Sequence, residues 1–257
     1  MNSFPAAGSS KFLQHPTILA FAHRGGGGEL PENTLPAFQR AVDLGYQYLE
    51  TDVHATADGV VVAFHDSVLD RVTNRSGKLH SLPWSEVSKA RIAGIEKIPL
   101  LTDILECFPN VRINIDPKHD SVLEPLANIL KSTKSIDRVC IGSFSNRRIK
   151  EIRKLLGAEL CTSAGTLETI KFRTSVMGIG LKIIPYQCLQ VPVSYGPIKI
   201  VTKQFVDKAH ESSLQVHVWT VDDPNEMNEL IDLGVDGLMT DYPEILRKVL
   251  ITRNLWV

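Results

Sequence analysis

Short apolar runs alternate with amphipathic segments along most of this 257-residue chain, and that alternation leaves few architectures open. Strands are predicted at Ile18–His23, Tyr48–Val53, Val60–His65, Val111–Asp116, Arg138–Ser143, Glu159–Ser163, Leu181–Tyr186, Gln215–Thr220 and Asp236–Thr240. Helical patterns lie between most of them, as at Leu35–Leu44, Leu100–Cys107, Val122–Lys131, Asn146–Leu156, Thr202–Ser212 and Asn225–Leu233. Strand–helix–strand order of this kind implies a parallel sheet covered by helices.

These strand runs are one more than a closed eight-stranded barrel takes, and one junction accounts for the surplus. In ETDVHATADGVVVAFHD only Thr56-Ala57-Asp58-Gly59 separates two strand patterns. A parallel partner needs a crossover of about a dozen residues, so so short a link ending in Asp-Gly makes a hairpin. Val60–His65 is therefore predicted to run antiparallel to the second strand, folded over the rim. The remaining strands fit a (β/α)8 TIM barrel, with a doubly wound open sheet as the alternative, and the length suits one such domain over 1–257. Residues 66–98, with Leu82-Pro83-Trp84 and Gly94, lack a clear strand or long helix. They are predicted to be an insertion after the second strand, on the face where barrel enzymes place their sites.

Lys and Arg number 28 and Asp and Glu 29, so nothing in the charge balance favours nucleic acid or anionic lipid as a partner. Any anion handling must be local. Cys107, Cys140, Cys161 and Cys188 show no Cys-x-x-Cys spacing and sit in apolar contexts. They are predicted as buried free thiols, which suits a reducing compartment. MNSFPAAGSSKFLQHP contains no apolar signal core, and Ile18–Ala22 is too short to span a membrane. A soluble, cytoplasmic protein without stable membrane anchoring is expected.

In YLETDVH, Glu50 and Asp52 are two apart on a strand and share a face. Neighbouring acids at a barrel strand end repel one another unless a cation joins them; the alternative is an exposed salt-bridged face. Asp116 closes another alternating strand in VRINIDPKH, with Lys118 two residues on. Three carboxylates without cysteine favour a hard ion, Mg2+ or Ca2+; alone, Asp116 and Lys118 also read as an ion pair. His23 and His65 each end an apolar strand, and His65 is followed by Asp66. At strand ends beside those acids they are candidates for general acid and base. Arg24 and Lys118 are suited to phosphate oxygens, or else to pairing with Glu50 or Asp116. His15, His80 and His210 read as incidental, His54 and His119 as one residue off the site face, and His217 as outward. Together these groups fit cleavage of a phosphate ester.

The blocks HRGGGGELPENTLPAF, YLETDVHATADGVVVAFHD, KIPLLTDIL, INIDPKH and VHVWTVDD…LIDLGVDGLMTDYP resemble, in this order, those of the glycerophosphodiester phosphodiesterase family. The resemblance covers roughly residues 18–247 and implies a (β/α)8 barrel with an insertion after its second strand. It implies that His23 and His65 are the acid–base pair, and that Glu50, Asp52 and Asp116 hold one divalent cation. Asp116 stands where the family usually has glutamate, one methylene longer, so the choice among Mg2+, Ca2+ and Mn2+ stays open. Arg24 and Lys118 match phosphate contacts, Trp219 a site-lining aromatic, and Glu32 a supporting position. The implied substrate is a small glycerophosphodiester, cleaved to sn-glycerol 3-phosphate and an alcohol through attack by its own glycerol 2-hydroxyl.

Two other readings share these residues. A lysophospholipase D would need an apolar groove, for which Leu69, Val72, Leu79, Leu82, Trp84 and Ile92 are available; equally, they would form the insertion's own core. A non-catalytic binding barrel should have lost a histidine or an acid, and none is missing. In the glycine run itself, Gly25 is expected to turn the chain off the first strand. Gly26, Gly27 and Gly28 are expected to lend mobility to the loop.

Overall fold

The computed structural model describes residues 10–175 and 184–257. Its main sheet comprises β1 (Leu19–Ala22), β2 (Tyr48–Ala55), β3 (Val61–Ala63), β4 (Arg112–Pro117), β5 (Val139–Ile141), β6 (Cys161–Thr162), β7 (Cys188–Pro192), β8 (Gln215–Trp219) and β9 (Gly237–Thr240). The spatial order is β6-β5-β4-β2-β1-β9-β8-β7, all neighbours parallel. The two ends of that order meet through one parallel bridge, Ser163 with Cys188. Beside it, the Gln187 N–H donates to the Thr162 carbonyl at 3.1 Å and the Ala164 N–H to the Cys188 carbonyl at 2.9 Å. Eight parallel strands thus close into a TIM barrel whose seam lies between β6 and β7.

β3 pairs antiparallel with β2, Val53 opposite Ala63 and Ala55 opposite Val61, as the Thr56–Gly59 hairpin requires. Thr56 Oγ1 closes the turn by accepting from the Val60 N–H at 3.0 Å, and Gly59 supplies the left-handed residue at φ +83°. The strand predicted at Leu181–Tyr186 is displaced. Residues 181–183 lie outside the described residues, 184–186 form no strand, and β7 takes the place instead. The polar Gln190 hides that strand in the sequence. It faces a polar interior, where its Nε2 donates to Asn114 Oδ1 at 2.8 Å.

Helices follow the strands: α1 (Leu35–Asp43), α2 (Leu101–Cys107), α3 (Leu123–Ser132), α4 (Asn146–Leu156), α5 (Thr166–Ser175), α6 (Lys203–Glu211), α7 (Pro224–Leu233) and α8 (Pro243–Thr252). Several start at side-chain caps. Thr34, Ser145, Thr202 and Asp223 each accept from backbone N–H groups of the first turn, worth about 1 kcal/mol apiece. In α2 the stripe Leu101, Ile104, Leu105, Phe108 is buried, and Cys107 falls outside it. Cys107 is therefore exposed, contrary to the expectation that all four thiols are buried.

Inside the barrel the side chains form layers. The floor is apolar, with Phe12, Leu19, Phe21, Tyr48 and Met239 around Cys140, Cys161 and Cys188. Above it lie Asn114, Gln190 and His217. His217 is fully buried, with Gln215 Oε1 at 3.0 Å from its Nε2, and burial pushes its pKa down to about 3. The expectation that His217 faces outward is thereby corrected: residues 215, 217 and 219 share one face of a strand, and that face is the interior. Above this layer, β2 and β4 end in charged residues.

Residues 66–98 contain a 3-10 turn, Leu79–Ser81, one turn of α-helix, Trp84–Val87, and a small hairpin pairing Arg91–Ile92 with Glu96–Lys97. Leu69, Leu79, Val87, Ala90 and Ile92 are buried with Val62 and Phe64, while Val72, Leu82 and Trp84 pack against them. The apolar residues offered for a lipid groove therefore build the insertion's core with Val62 and Phe64, while Ile95 is exposed. Among the described residues, no helix is long and apolar enough to cross a membrane.

Candidate active site

The register of β2 and β4 places Glu50 opposite Asn114 and Asp52 opposite Asp116. The carboxylates of Asp52 and Asp116 therefore stand side by side, and Lys118 bridges them, its Nζ 2.7 Å from Asp52 Oδ1 and 2.7 Å from Asp116 Oδ2. Burial raises the pKa of Asp116 against the pull of Lys118. At Asp52 burial acts in the same direction, but the charges of Lys118 and Arg24 outweigh it and hold the pKa low. Glu50, with no cation so close, is pushed up to about 7 by burial and by the charge of Asp52.

His23 and Arg24 begin the turn after β1, where Arg24 adopts φ +51°. The Arg24 N–H donates to Glu50 Oε2 at 3.0 Å, and its guanidinium lies 3.3 Å from Glu32 Oε1. Arg24 Nε is 3.0 Å from Asp52 Oδ2 but is not aligned to donate, so it is a buried donor without a hydrogen-bond partner.

His23 Nδ1 is 2.8 Å from Asp241 Oδ1, at the end of β9, and its Nε2 is 3.7 Å from Glu50 Oε2. Burial disfavours the charged ring, but Glu50 and Asp241 outweigh it and raise its pKa. His65, just past β3, has the same arrangement: its Nδ1 is 2.6 Å from Asp66 Oδ1. Hydrogen bonds from Arg71 hold Asp66 down to about 2, so its carboxylate only accepts and His65 carries its proton on Nδ1. Arg71 also reaches Glu32 Oε1 at 2.5 Å. Alternating arginines and carboxylates, Arg24–Glu32–Arg71–Asp66, thus run across the mouth to His65. Trp219 ends β8, half-buried, with Phe144 edge-on at 5.4 Å.

The structure brings His23, Arg24, Glu50, Asp52, Asp116 and Lys118 into mutual contact, joins His65 to them through Asp66, Arg71 and Glu32, and sets Trp219 against Phe144; it also shows supporting residues that the sequence pattern does not. Asp241 holds His23. Asn33, buried at φ +56°, donates from Nδ2 to Asp52 Oδ2 at 3.1 Å and accepts from Thr51 Oγ1 at 2.7 Å. The available signals were the strand-end position of Asp241 in LMTDYP and the place of Asn33 beside Glu32.

The glycine run is close-packed, which corrects the expectation of a loosening role. A Cβ on Gly26 would lie 2.5 Å from the Pro243 ring, and one on Gly28 would lie 2.6 Å from the Tyr242 ring and 2.9 Å from the Asp241 carbonyl. The Gly28 N–H donates to that carbonyl at 3.0 Å. The run lets the first loop lie against Asp241–Pro243 and so sets Asp241 against His23.

Two buried carboxylates, Glu50 and Asp52, and the half-buried Asp116 face Arg24 and Lys118 here, and the acids offer only oxygen donors. That set suits a hard divalent cation: among the described residues Glu50 is buried beside Asp52 with no lysine or arginine side chain in an ion pair to it, and its pKa is pushed up to about 7. The three carboxylates do not converge as a ready cluster, because Lys118 stands between Asp52 and Asp116.

Known proteins resemble this chain over nearly its whole length. The model of the glycerophosphoryl diester phosphodiesterase family matches residues 23–245. A probable glycerophosphodiester phosphodiesterase 2 of Mycobacterium tuberculosis is 40% identical over 96% of each chain. A crystal structure from Silicibacter pomeroyi of a protein described as a putative glycerophosphoryl diester phosphodiesterase superposes with a TM-score of 0.81 at 23% identity, covering 96% of this chain and 98% of that one. An Oleispira antarctica phosphodiesterase, solved with its product sn-glycerol-3-phosphate, gives a TM-score of 0.77 at 22% identity over 91% and 97%. The chain belongs to the glycerophosphoryl diester phosphodiesterase family, enzymes that hydrolyse glycerophosphodiesters.

Proposed function

We propose that this enzyme, as one catalytic domain over residues 1–257, releases sn-glycerol 3-phosphate and an alcohol, with His23 and His65 moving the protons. The observation that carries this reading is the matched setting of the two rings. Each has its Nδ1 against a carboxylate, Asp241 or Asp66, which leaves its Nε2 to exchange protons. Glu50 lies beside His23, its Oε2 3.7 Å from the ring Nε2. The product held by the Oleispira antarctica relative supports the assignment of the glycerol side.

In the first step the glycerol 2-hydroxyl oxygen bonds to phosphorus and gives its proton to one histidine. The ester bond to the alcohol breaks, and the other histidine protonates the departing oxygen. In the second step water adds to the cyclic phosphate, the bond to the 2-oxygen breaks, and both histidines regain their starting protonation. Arg24 and Lys118 take the equatorial phosphate oxygens. Glu50, Asp52 and Asp116 would hold one divalent cation, Mg2+ or Ca2+ with Mn2+ a third choice. Such an ion, when bound, neutralises phosphoryl charge and lowers the pKa of the attacking hydroxyl. Trp219 offers a flat apolar wall to the glycerol end, and residues 66–98 form the rim beside His65. The four free thiols support a reducing setting such as the cytoplasm.

Glycerophosphodiester turnover is to be compared with that of the 2-deoxyglycerol analogue, each with chelator and then with each ion restored. Loss of turnover with the analogue supports the route through the 2-hydroxyl, and equal turnover overturns it. Activity that survives exhaustive chelation overturns the cation.

A further inference from the structure

The catalytic mouth uses none of the cysteines, yet three of them converge on the barrel floor. Cys140 of β5, Cys161 of β6 and Cys188 of β7 come from three neighbouring strands, all fully or almost fully buried. Their Sγ atoms lie within 4.8 Å of one another, with Cys140 and Cys188 3.9 Å apart. Among the described residues this is the one group of three His, Cys, Asp or Glu side chains with ligand atoms so close. Thiolates sharing one ion at about 2.3 Å have their sulfurs about 4 Å apart, which is the spacing seen here. The Thr162 carbonyl lies 3.9 Å from Cys188 Sγ, a further oxygen at the edge of the cluster.

We propose that these cysteines form a thiolate site for one thiophilic d10 cation, Zn2+ or Cu+, and that the ion clasps the barrel at its seam. On binding, each coordinating thiol releases its proton to solvent. Soft sulfur donors select such ions over Mg2+ and Ca2+, so this floor site and the oxygen-lined mouth would not compete for the same metal.

The position gives the site a structural purpose. The seam between β6 and β7 has one ladder bridge, Ser163 with Cys188, and the few hydrogen bonds around it, whereas β7 and β8 pair over five registered residues. The cysteines stand on both sides of that seam, so one ion would tie β5 and β6 to β7. The stopper over the floor is the segment around Phe12, whose carbonyl accepts from the Tyr48 hydroxyl at 3.0 Å.

The test uses the full-length, reduced protein with Mg2+ present to fill the acidic mouth. It is loaded in separate arms with Zn2+ and with Cu+ under anaerobic conditions. X-ray absorption of the loaded wild-type protein reads the ligand atoms directly and needs no variant. The account predicts one retained ion per chain, a sulfur-dominated shell and a raised thermal midpoint. It also predicts an unchanged stoichiometry in Cys107→Ser and the loss of that one ion in Cys161→Ser. A shell of oxygen and nitrogen only, no retained ion in either arm with all thiols reduced, or full retention by a folded Cys161→Ser protein would overturn it.

Discussion

Replacing Asn33 separates the packing of the acidic pair from its chemistry. Asn33 is buried at φ +56°, accepts from Thr51 Oγ1 at 2.7 Å and donates to Asp52 Oδ2 at 3.1 Å. Asn33→Ala strands a buried hydroxyl, costing about 1–2 kcal/mol, and removes a bond to a charged acceptor, costing about 1.5–3 kcal/mol. Holding alanine in the left-handed region adds about 1 kcal/mol. The loss is therefore about 3.5–6 kcal/mol, a large part of the roughly 5–15 kcal/mol that keeps a domain folded. Asn33→Gly removes the same side-chain bonds without the backbone strain, so it should be about 1 kcal/mol more stable than Asn33→Ala. Urea unfolding of the three proteins without divalent ions measures both differences. A loss below about 1 kcal/mol in the alanine variant, or a glycine variant less stable than the alanine one, would refute the reasoning.

Other perturbations follow from the same contacts. Gly28→Ala drives a Cβ against the Tyr242 ring and the Asp241 carbonyl; it should cost about 1–3 kcal/mol, with kcat falling as Asp241 is displaced from His23, measured by unfolding and turnover together. Tyr46→Phe removes the 2.7 Å hydrogen bond to the Pro243 carbonyl and should lower stability by about 1 kcal/mol without abolishing turnover. His210 has a raised pKa because of its 2.8 Å hydrogen bond to the buried Asp236. A raised histidine pKa means that the charged form favours the folded state: the contribution is full below the ordinary value of about 6.5 and is lost as pH rises through the folded value. His210→Ala should therefore destabilise more at about pH 6 than at about pH 9, and an equal loss at both would contradict that linkage.

The acids of β2 were legible because a strand has a period of two and its register follows from the apolar pattern. The hairpin was legible because Thr56–Gly59 is too short for any crossover. Asp241 was harder to read, because its partner His23 is 218 residues away and only closure of the barrel brings β9 beside β1. Asn33 depends on a left-handed backbone that composition does not reveal. The glycine run was misread because a lack of side chains serves both loosening and close packing, and the decisive neighbours, Tyr242 and Pro243, come from the far end of the chain. β7 and His217 were misplaced for a shared reason: the barrel interior at their level is polar, so inward residues there do not read as apolar.

The most direct test of the central claim is the release of sn-glycerol 3-phosphate from a glycerophosphodiester by the wild-type enzyme, His23→Ala and His65→Ala, with a divalent ion present. The account predicts release by the wild type and a loss of at least about a hundredfold in kcat for each variant, the usual scale for a general acid or base, with both variants folded. Wild-type turnover in either folded variant would contradict the assignment of the two histidines as the proton carriers.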